Sequence, residues 1–293
     1  MSVYRFIRLE KAHFPVTVLC RVLEVSRSAF YAWQGRTPSK REREDIALTA
    51  KIKAIHTKNR GAYGSPRIHQ ELVENGEHLS RKRVARLMKE AGLSGLPPKR
   101  FKKTTDSCHN EPVAKNLLNR NFDVDVPNEA WVGDITSIWT WEGWVYLAVV
   151  IDLFSRKVVG WSAADHMRSE LVEEALKRAL TSRQPQSGLI SHSDRGSQYA
   201  STRYQDLLDE NEIVCSMSRK ANCWDNAVSE SFFGRLKVEL IHQHAWATKH
   251  AVIREISSYI HHFYNPIRRH SANDGLSPDK FEQRHRAQRA LAA

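Results

Sequence analysis

The sequence predicts an all-α N-terminal region followed by a larger α/β domain, and three observations carry that expectation. Residues 1–95 show apolar positions at helical spacing behind capping residues, and residues from Trp131 onward fall into short runs rich in β-branched and aromatic side chains. After the third such run, helical and strand patterns alternate. Hydrophobic residues make up 41% of the 293 positions, enough for a sizeable core and too many for a wholly disordered chain. No run reaches the length of a membrane span, and the start Met-Ser-Val-Tyr-Arg-Phe-Ile-Arg carries charges where a signal peptide needs its apolar stretch, so a cytoplasmic chain is expected. Cys20, Cys108, Cys215 and Cys223 are scattered without a CxxC pair, which points neither to a disulfide framework nor to a four-cysteine zinc site.

In chain order, residues 14–36 read as two short helices. Val16, Leu19, Val22 and Leu23 share one face, and Ser26 caps a second helix with Ala29, Phe30 and Trp33 inward. This is a helix-turn-helix pattern with Arg27, Ser28, Tyr31 and Gln34 outward, where DNA is within reach, and it defines a first unit over 1–43. A second such unit, 44–95, places Ile46, Ile52 and Ile55 on one helix and Ile68, Leu72 and Val73 on the next. Ser80 then caps a third helix with Arg81, Lys82, Arg83, Arg86 and Lys89 outward. Five cations on so short a helix repel one another unless an anion is close, so these too are candidate DNA contacts. Residues 96–127, with Pro97-Pro98 and Lys99, Arg100, Lys102 and Lys103, read as a basic linker.

The α/β domain is expected over 128–285, with 286–293 as a tail. Trp131–Trp139, Trp144–Asp152 and Lys157–Ser162 are the three hairpin-connected strands. A helix at Ser169–Thr181, a strand at Leu189–His192, a helix at Thr202–Asn211 and a strand at Ile213–Ser218 follow, then long helices from Asp225 to about His242 and from Lys249 to Tyr264. Most of the eight tryptophans fall in strand patterns and are expected in the core. The pairs His242/His244 and His261/His262 lack cysteine partners and are expected to be solvated or packed.

Charge is distributed unevenly. Residues 1–120 carry 25 Lys and Arg against 11 Asp and Glu, whereas residues 121–293 carry 20 against 22. A basic N-terminal part joined to a neutral domain fits a nucleic-acid grip attached to a region with separate work, because phosphate neutralisation dominates sequence-independent affinity for DNA.

Three acids stand apart from the generic surface. Asp134 interrupts the apolar strand Trp131-Val-Gly-Asp-Ile-Thr-Ser-Ile138, where a carboxylate is costly unless paired or metal-bound. Asp194 follows the strand ending at His192, and ligand chemistry in α/β sheets gathers outside strand ends. Glu230 lies on a helix that carries Asn226 and Lys237 on the same face. Asp152 and Asp165 also sit at strand ends, but read as turn or cap residues.

Sixty positions separate Asp134 from Asp194, and thirty-five residues lie between Asp194 and Glu230. This resembles the D, D-35-E signature of the DDE recombinases of the retroviral-integrase type. The words Asn128-Glu-Ala-Trp-Val-Gly-Asp-Ile-Thr136, His192-Ser-Asp-Arg-Gly-Ser-Gln-Tyr199, Asp225-Asn-Ala-Val-Ser-Glu-Ser-Phe-Phe233 with Lys237, and Tyr264-Asn-Pro-Ile-Arg-Arg-His270 followed by Leu276-Ser-Pro278 are similar to the OrfB transposases of the insertion-sequence-three family, from about Val3 to Glu282. The resemblance implies an RNase H-like, integrase-type catalytic core in which Asp134, Asp194 and Glu230 hold two Mg²⁺ or Mn²⁺ ions. It also implies helical domains that bind double-stranded DNA at transposon terminal inverted repeats and in targets, with Lys237 contacting phosphate near the scissile bond and Asn226 a helix-start polar group or substrate contact. The same resemblance implies cleavage and strand transfer through a circular intermediate by a multimer, in a bacterial, nucleoid-associated setting, often with an OrfA product or fused to it. No zinc-binding HHCC pattern precedes this core; the helix-turn-helix units take that place. The alternative is a DNA-binding regulator with a non-catalytic core, against which the presence of all three acids speaks.

Overall fold

The computed structural model describes residues 3–97, 114–119, 121–219 and 226–292. The basic positions 99–103, Cys108, Cys223 and the expected helix start at Asp225 lie outside the described residues.

The chain opens with three helices, α1 (Val3–Glu10), α2 (Val16–Val22) and α3 (Arg27–Gly35). Ser26 caps α3 as expected, its Oγ accepting the Ala29 N–H at 3.4 Å. The first helix is additional to the expected pair: Tyr4 and Ile7 pack with Leu19, Cys20, Phe30 and Trp33 into a small core of its own. Eight residues with three charges give too short a stripe for periodicity to reveal α1.

The second unit comprises α4 (Lys40–Lys58), α5 (Ser65–Glu74) and α6 (Arg81–Glu90). A Ser39/Glu42 capping box starts α4, so the boundary expected at 43/44 falls inside a helix. Ile46, expected inward, is 66% exposed; Leu48 and Ile52 take the core positions beside Ile68, Leu72, Val84 and Leu87. The anion demanded by the basic α6 is supplied by α4: Arg83 Nε donates to Asp45 at 2.8 Å and Arg86 Nη2 to Asp45 at 2.6 Å.

The remainder is a five-stranded mixed sheet with helices on both faces. Strands β1 (Ala130–Thr140), β2 (Gly143–Asp152) and β3 (Val158–Ala164) form the expected antiparallel meander. Helix α7 (Ser169–Arg183), strand β4 (Ile190–Ser193), the short α8 (Ser197–Ala200), α9 (Thr202–Glu210) and strand β5 (Val214–Met217) follow. The sheet order is β3-β2-β1-β4-β5, with β1–β4 and β4–β5 parallel. The chain continues through α10 (Ala227–Glu239), α11 (Lys249–Ser258) running into a π-helical turn at Tyr259–Tyr264, and α12 (Pro278–Ala292). The expected tail from 286 is therefore the end of a helix.

Alternation along the strands sends side chains to two cores. Val132, Leu147, Val149 and Ile151 pack with Phe232, Leu236, Ile256 and Tyr259 on one face. Trp131, Ala148 and Val150 meet Leu171, Leu176, Tyr199 and Leu208 on the other. Gly160 lets β3 lie directly on α7, since a Cβ there would strike the Ala175 carbonyl and Ala179. The expectation for tryptophan is corrected at the β1–β2 hairpin, where Trp139, Trp141 and Trp144 are 56%, 75% and 47% exposed; Trp139 and Trp144 pair across the strands on the face opposite buried Ile138 and Val145. The expected linker is corrected as well: Leu118 is buried in the core, Phe122 and Val124 pack on it, and Leu117 N–H donates to Ser216 Oγ at 2.9 Å.

The helical unit α4–α6 is bolted to the core through adjacent arginines. Arg268 is buried against Glu239, its Nη2 donating at 2.6 Å, while Arg269 reaches the other way, its Nε donating to Glu71 at 2.8 Å and its Nη1 to Glu74 at 2.6 Å. The Arg269 N–H also donates to the Tyr63 hydroxyl at 2.8 Å.

Candidate active site

Each of the three singled-out acids is held by a different element of the core. Asp134 lies mid-way along β1, opposite Val149 of β2, and one pleat beyond Val132, so it faces the side on which α10 packs. Its Oδ1 accepts the Ile135 N–H at 2.8 Å. Asp194 comes directly after β4, at the carboxyl end of a parallel strand, and its Oδ1 accepts the Gly196 N–H at 2.9 Å, closing the turn that starts α8. Glu230 lies in the first turn of α10.

These elements bring the acids into one electrostatic neighbourhood. Burial pushes the Asp134 carboxyl well above the ordinary range, and the negative charge of Asp194, then that of Glu230, pushes the same way. The Ile135 N–H and the Lys237 ammonium pull against that shift. Burial also raises Glu230 and lowers Lys237, which Asp134 opposes. Among the described residues no three His, Cys, Asp or Glu side chains are already gathered closely enough to hold an ion. An oxygen-only set of mutually repelling carboxylates nonetheless fits a hard divalent cation, which reverses the repulsion and favours magnesium or manganese over zinc.

Sequence reasoning assigned no role to two residues beside these acids. The Tyr199 phenol is buried and held far above its ordinary range by burial and by Asp134. Its ring covers Gly133, where a Cβ would stand 3.2 Å from Cε1. Both lie in the quoted words around Asp134 and Asp194, yet only the fold joins them.

The other expected residues fall into two groups. Asn226 is 6% exposed and its Oδ1 accepts from Ser229 Oγ at 2.5 Å, which occupies the carboxamide oxygen in the start of α10. Lys237 is half-buried on the Glu230 face of the same helix. Arg27, Ser28 and Tyr31 stand exposed on α3, and Arg81 and Lys82 on α6, while Arg83 and Arg86 spend their charge on Asp45, Glu44 and Glu90. Asp152 is fully buried, its carboxylate accepting from the Asn128 and Phe154 N–H groups, as a turn residue does; Asp165, expected as a turn or cap residue, instead faces Lys249 at 3.6 Å on the surface. His261 accepts from Trp161 Nε1 at 3.2 Å, and His244 packs on Trp246.

Comparison with known proteins agrees with this architecture. The integrase core domain family matches residues 125–223 and, in a second segment, 230–285; the HTH-like domain family matches residues 42–101. An insertion element IS600 uncharacterized 31 kDa protein of Shigella sonnei is 43% identical over 91% of this chain and 98% of its own length. The transposase InsF for insertion sequence IS3A of Escherichia coli (strain K12) is 41% identical over 97% of this chain and 99% of its own. Among solved structures, the HTLV-2 integrase catalytic core domain in complex with magnesium has a TM-score of 0.43 and 18% identity, covering 54% of this chain and 97% of that one. The relatives match nearly end to end, helical units and core together, and the chain belongs to the IS3 family of transposases with an integrase catalytic core.

Proposed function

We propose that this transposase cuts a DNA strand at the end of an insertion sequence and joins the freed 3′-hydroxyl to another phosphodiester, with Asp134, Asp194 and Glu230 as the metal-holding catalytic acids. The observation that carries the reading is the Asp134 carboxyl, buried in the sheet within the electrostatic reach of both Asp194 and Glu230, with Lys237 opposing the shift. Nature rarely leaves charges so opposed without an ion or a reaction to use them. Bound there, a pair of Mg²⁺ or Mn²⁺ ions supplies Lewis acidity and charge neutralisation for in-line displacement at phosphorus.

The chain's own residues supply the rest. Asp134 anchors one wall through the central strand, Asp194 another through the turn closed by Gly196, and Glu230 a third through the first turn of α10. Lys237 keeps a proton at Nζ and offers it to a non-bridging phosphate oxygen two helical turns from Glu230. Tyr199 and Gly133 keep the back of the site closed and fix the direction of β1. In each displacement one phosphorus–oxygen bond forms as another breaks, so no serine or tyrosine nucleophile is needed. The exposed faces of α3 and α6, through Arg27, Ser28, Tyr31, Arg81 and Lys82, hold the terminal DNA. Arg83 and Arg86 orient α6 through their pairs with α4, and Asn226 fixes the start of α10. Assembly of several copies on paired ends, with or fused to an OrfA product, belongs to the same proposal.

The test is strand cleavage and joining on labelled DNA carrying the element's own ends, with Mg²⁺, for the wild type and Asp134→Asn, Asp194→Asn and Glu230→Gln. Each variant is expected to lose both steps while still binding DNA. Undiminished joining in any of them sinks the assignment.

A further inference from the structure

On the other side of α10 lies a cluster that the catalytic acids do not use. A cavity of about 180 Å³ opens between the helical unit and the core, lined by Arg67 of α5, Arg156, Ser231 and Arg235 of α10, Arg268 and His270. Arg235 stands roughly 140° round the helix from Glu230, so α10 turns one face to the acids and another to the cavity. The volume is on the order of ten times what a single water requires.

Four guanidinium groups converge here, and only Arg268 has a close carboxylate to balance it. No carboxylate lines the cavity. Glu239 is taken up by Arg268, and Asp123, 4.0 Å from Arg156, projects wholly into solvent. Among the described residues neither Arg67 nor Arg235 has an ion-pair partner; Arg67 only stacks on the Tyr63 ring at 5.3 Å. Two buried polar atoms of the lining residues, Arg156 Nη1 and His270 Nε2, have no hydrogen-bond partner. Burial and the surrounding arginines push His270 well below the usual histidine range, and burial and Arg268 lower Arg67. Like charges gathered in a semi-enclosed space with too few counter-ions cost stability unless an anion joins them.

We propose that this cavity is a phosphate-binding site that receives a backbone phosphate of the DNA, gripped jointly by Arg67 of the helical unit and Arg235 and Arg156 of the core. Guanidinium forks match the geometry of phosphate oxygens, and the exposed Ser231 hydroxyl and the unpartnered imidazole nitrogen complete a donor set without acceptors in competition. The inference rests on the DNA-joining reading for the source of the phosphate, though not on the roles of the three acids. A phosphate held here pins the second helical unit and α10 to the same strand of DNA, so that end binding and the placing of Glu230 become one event.

The test uses the full-length protein without divalent metal, so that binding is read independently of catalysis. Affinity for end-containing duplex is measured by anisotropy over a range of salt for wild type, Arg67→Gln, Arg235→Gln and Arg235→Lys. Each glutamine variant is expected to weaken binding about tenfold and to flatten the salt slope by roughly 0.9, the share of one phosphate contact. Arg235→Lys should recover part of the slope. In parallel, inorganic phosphate should raise the melting temperature of the wild type above that in chloride of equal ionic strength, and less so that of Arg67→Gln. Unchanged slopes in folded Arg67→Gln and Arg235→Gln overturn the proposal. So does stabilisation by free phosphate with no change in DNA binding, which makes the cavity a site for a small anion only. If Asp134→Asn still joins DNA while these slopes change, the catalytic reading fails and this one stands.

Discussion

Two groups of acids share the central sheet and meet opposite fates. Asp134 is driven far above its ordinary value, by burial first and then by the negative charge of Asp194, with Lys237 pulling the other way. Asp152, at the end of the neighbouring strand, and Glu282 of α12 gather round Arg183, whose Nη2 donates to Asp152 at 2.8 Å and Nη1 to Glu282 at 2.8 Å. Glu282 ends below its ordinary value, although burial works against it, and only Asp152, more deeply buried, stays raised. Ser155 and Asn128 saturate the second group with further hydrogen bonds. The same residue type thus serves two purposes, and what distinguishes them is whether the fold supplies the opposite charge. Where Arg183 does so, the acids clamp α7 and α12 to the sheet; at Asp134 only Lys237 opposes burial and like charge, which leaves a role for a cation.

This contrast is open to experiment, and the largest effect is expected on activity. Asp134→Asn should cut joining by more than about a hundredfold, since even the outer partners of metal ligands cost ten to a hundredfold when removed. Without metal, the same variant should melt at or above the wild-type temperature, because it removes a repulsion. A lowered melting temperature would place Asp134 among the structural acids instead. Arg183→Ala should do the reverse, costing roughly 3–5 kcal/mol of stability in denaturant titration by leaving buried Asp152 without its cation and Glu282 with only the more distant Lys157 and Arg286.

The pH dependence of stability is expected to split the two groups by sign. Folded Asp134 binds its proton more tightly than the unfolded chain does, so its contribution is present below about pH 4 and is lost as pH rises through the folded value. Folded Glu282 binds its proton less tightly, so its contribution is present above about pH 4.3 and is lost as pH falls. Asp134→Asn should therefore gain on the wild type as pH rises from about 4 towards neutrality, while Glu282→Gln should lose ground as pH rises from about 3 to 5 and run parallel above that. Curves parallel to the wild type for both variants, each in its own window, would erase the distinction.

The smallest effects are expected on the helical units, where paired and unpaired cations also differ. Arg27→Ala should flatten the salt dependence of DNA binding by roughly 0.9 and leave folding alone. Arg83→Ala, which breaks a pair with Asp45, should lower the melting temperature slightly and alter the salt slope less.

Much of this arrangement is legible in the chain before folding. Asp134 announces itself because a carboxylate amid Trp131, Val132 and Ile138 contradicts the strand around it, and the spacing to Asp194 and Glu230 does the rest. The strand and helix patterns of the core survive nearly unchanged, since alternation and helical periodicity are local properties. What stays hidden is whatever depends on partners distant in sequence. Asp45 neutralises Arg83 from 38 residues away, and Arg67 meets Arg235 and Arg268 only across the contact between two units. Trp139 and Trp144 read as core because a strand pattern carries no information on which of its two faces is covered.

Adjacent arginines looking in opposite directions turn the Tyr264–His270 word into a rivet, one head sunk in Glu239 and the other in Glu71 and Glu74. A joint of that kind makes the peptide connection from α6 to β1 dispensable for cohesion. Severed anywhere between residues 97 and 114, the two fragments should still migrate as one particle.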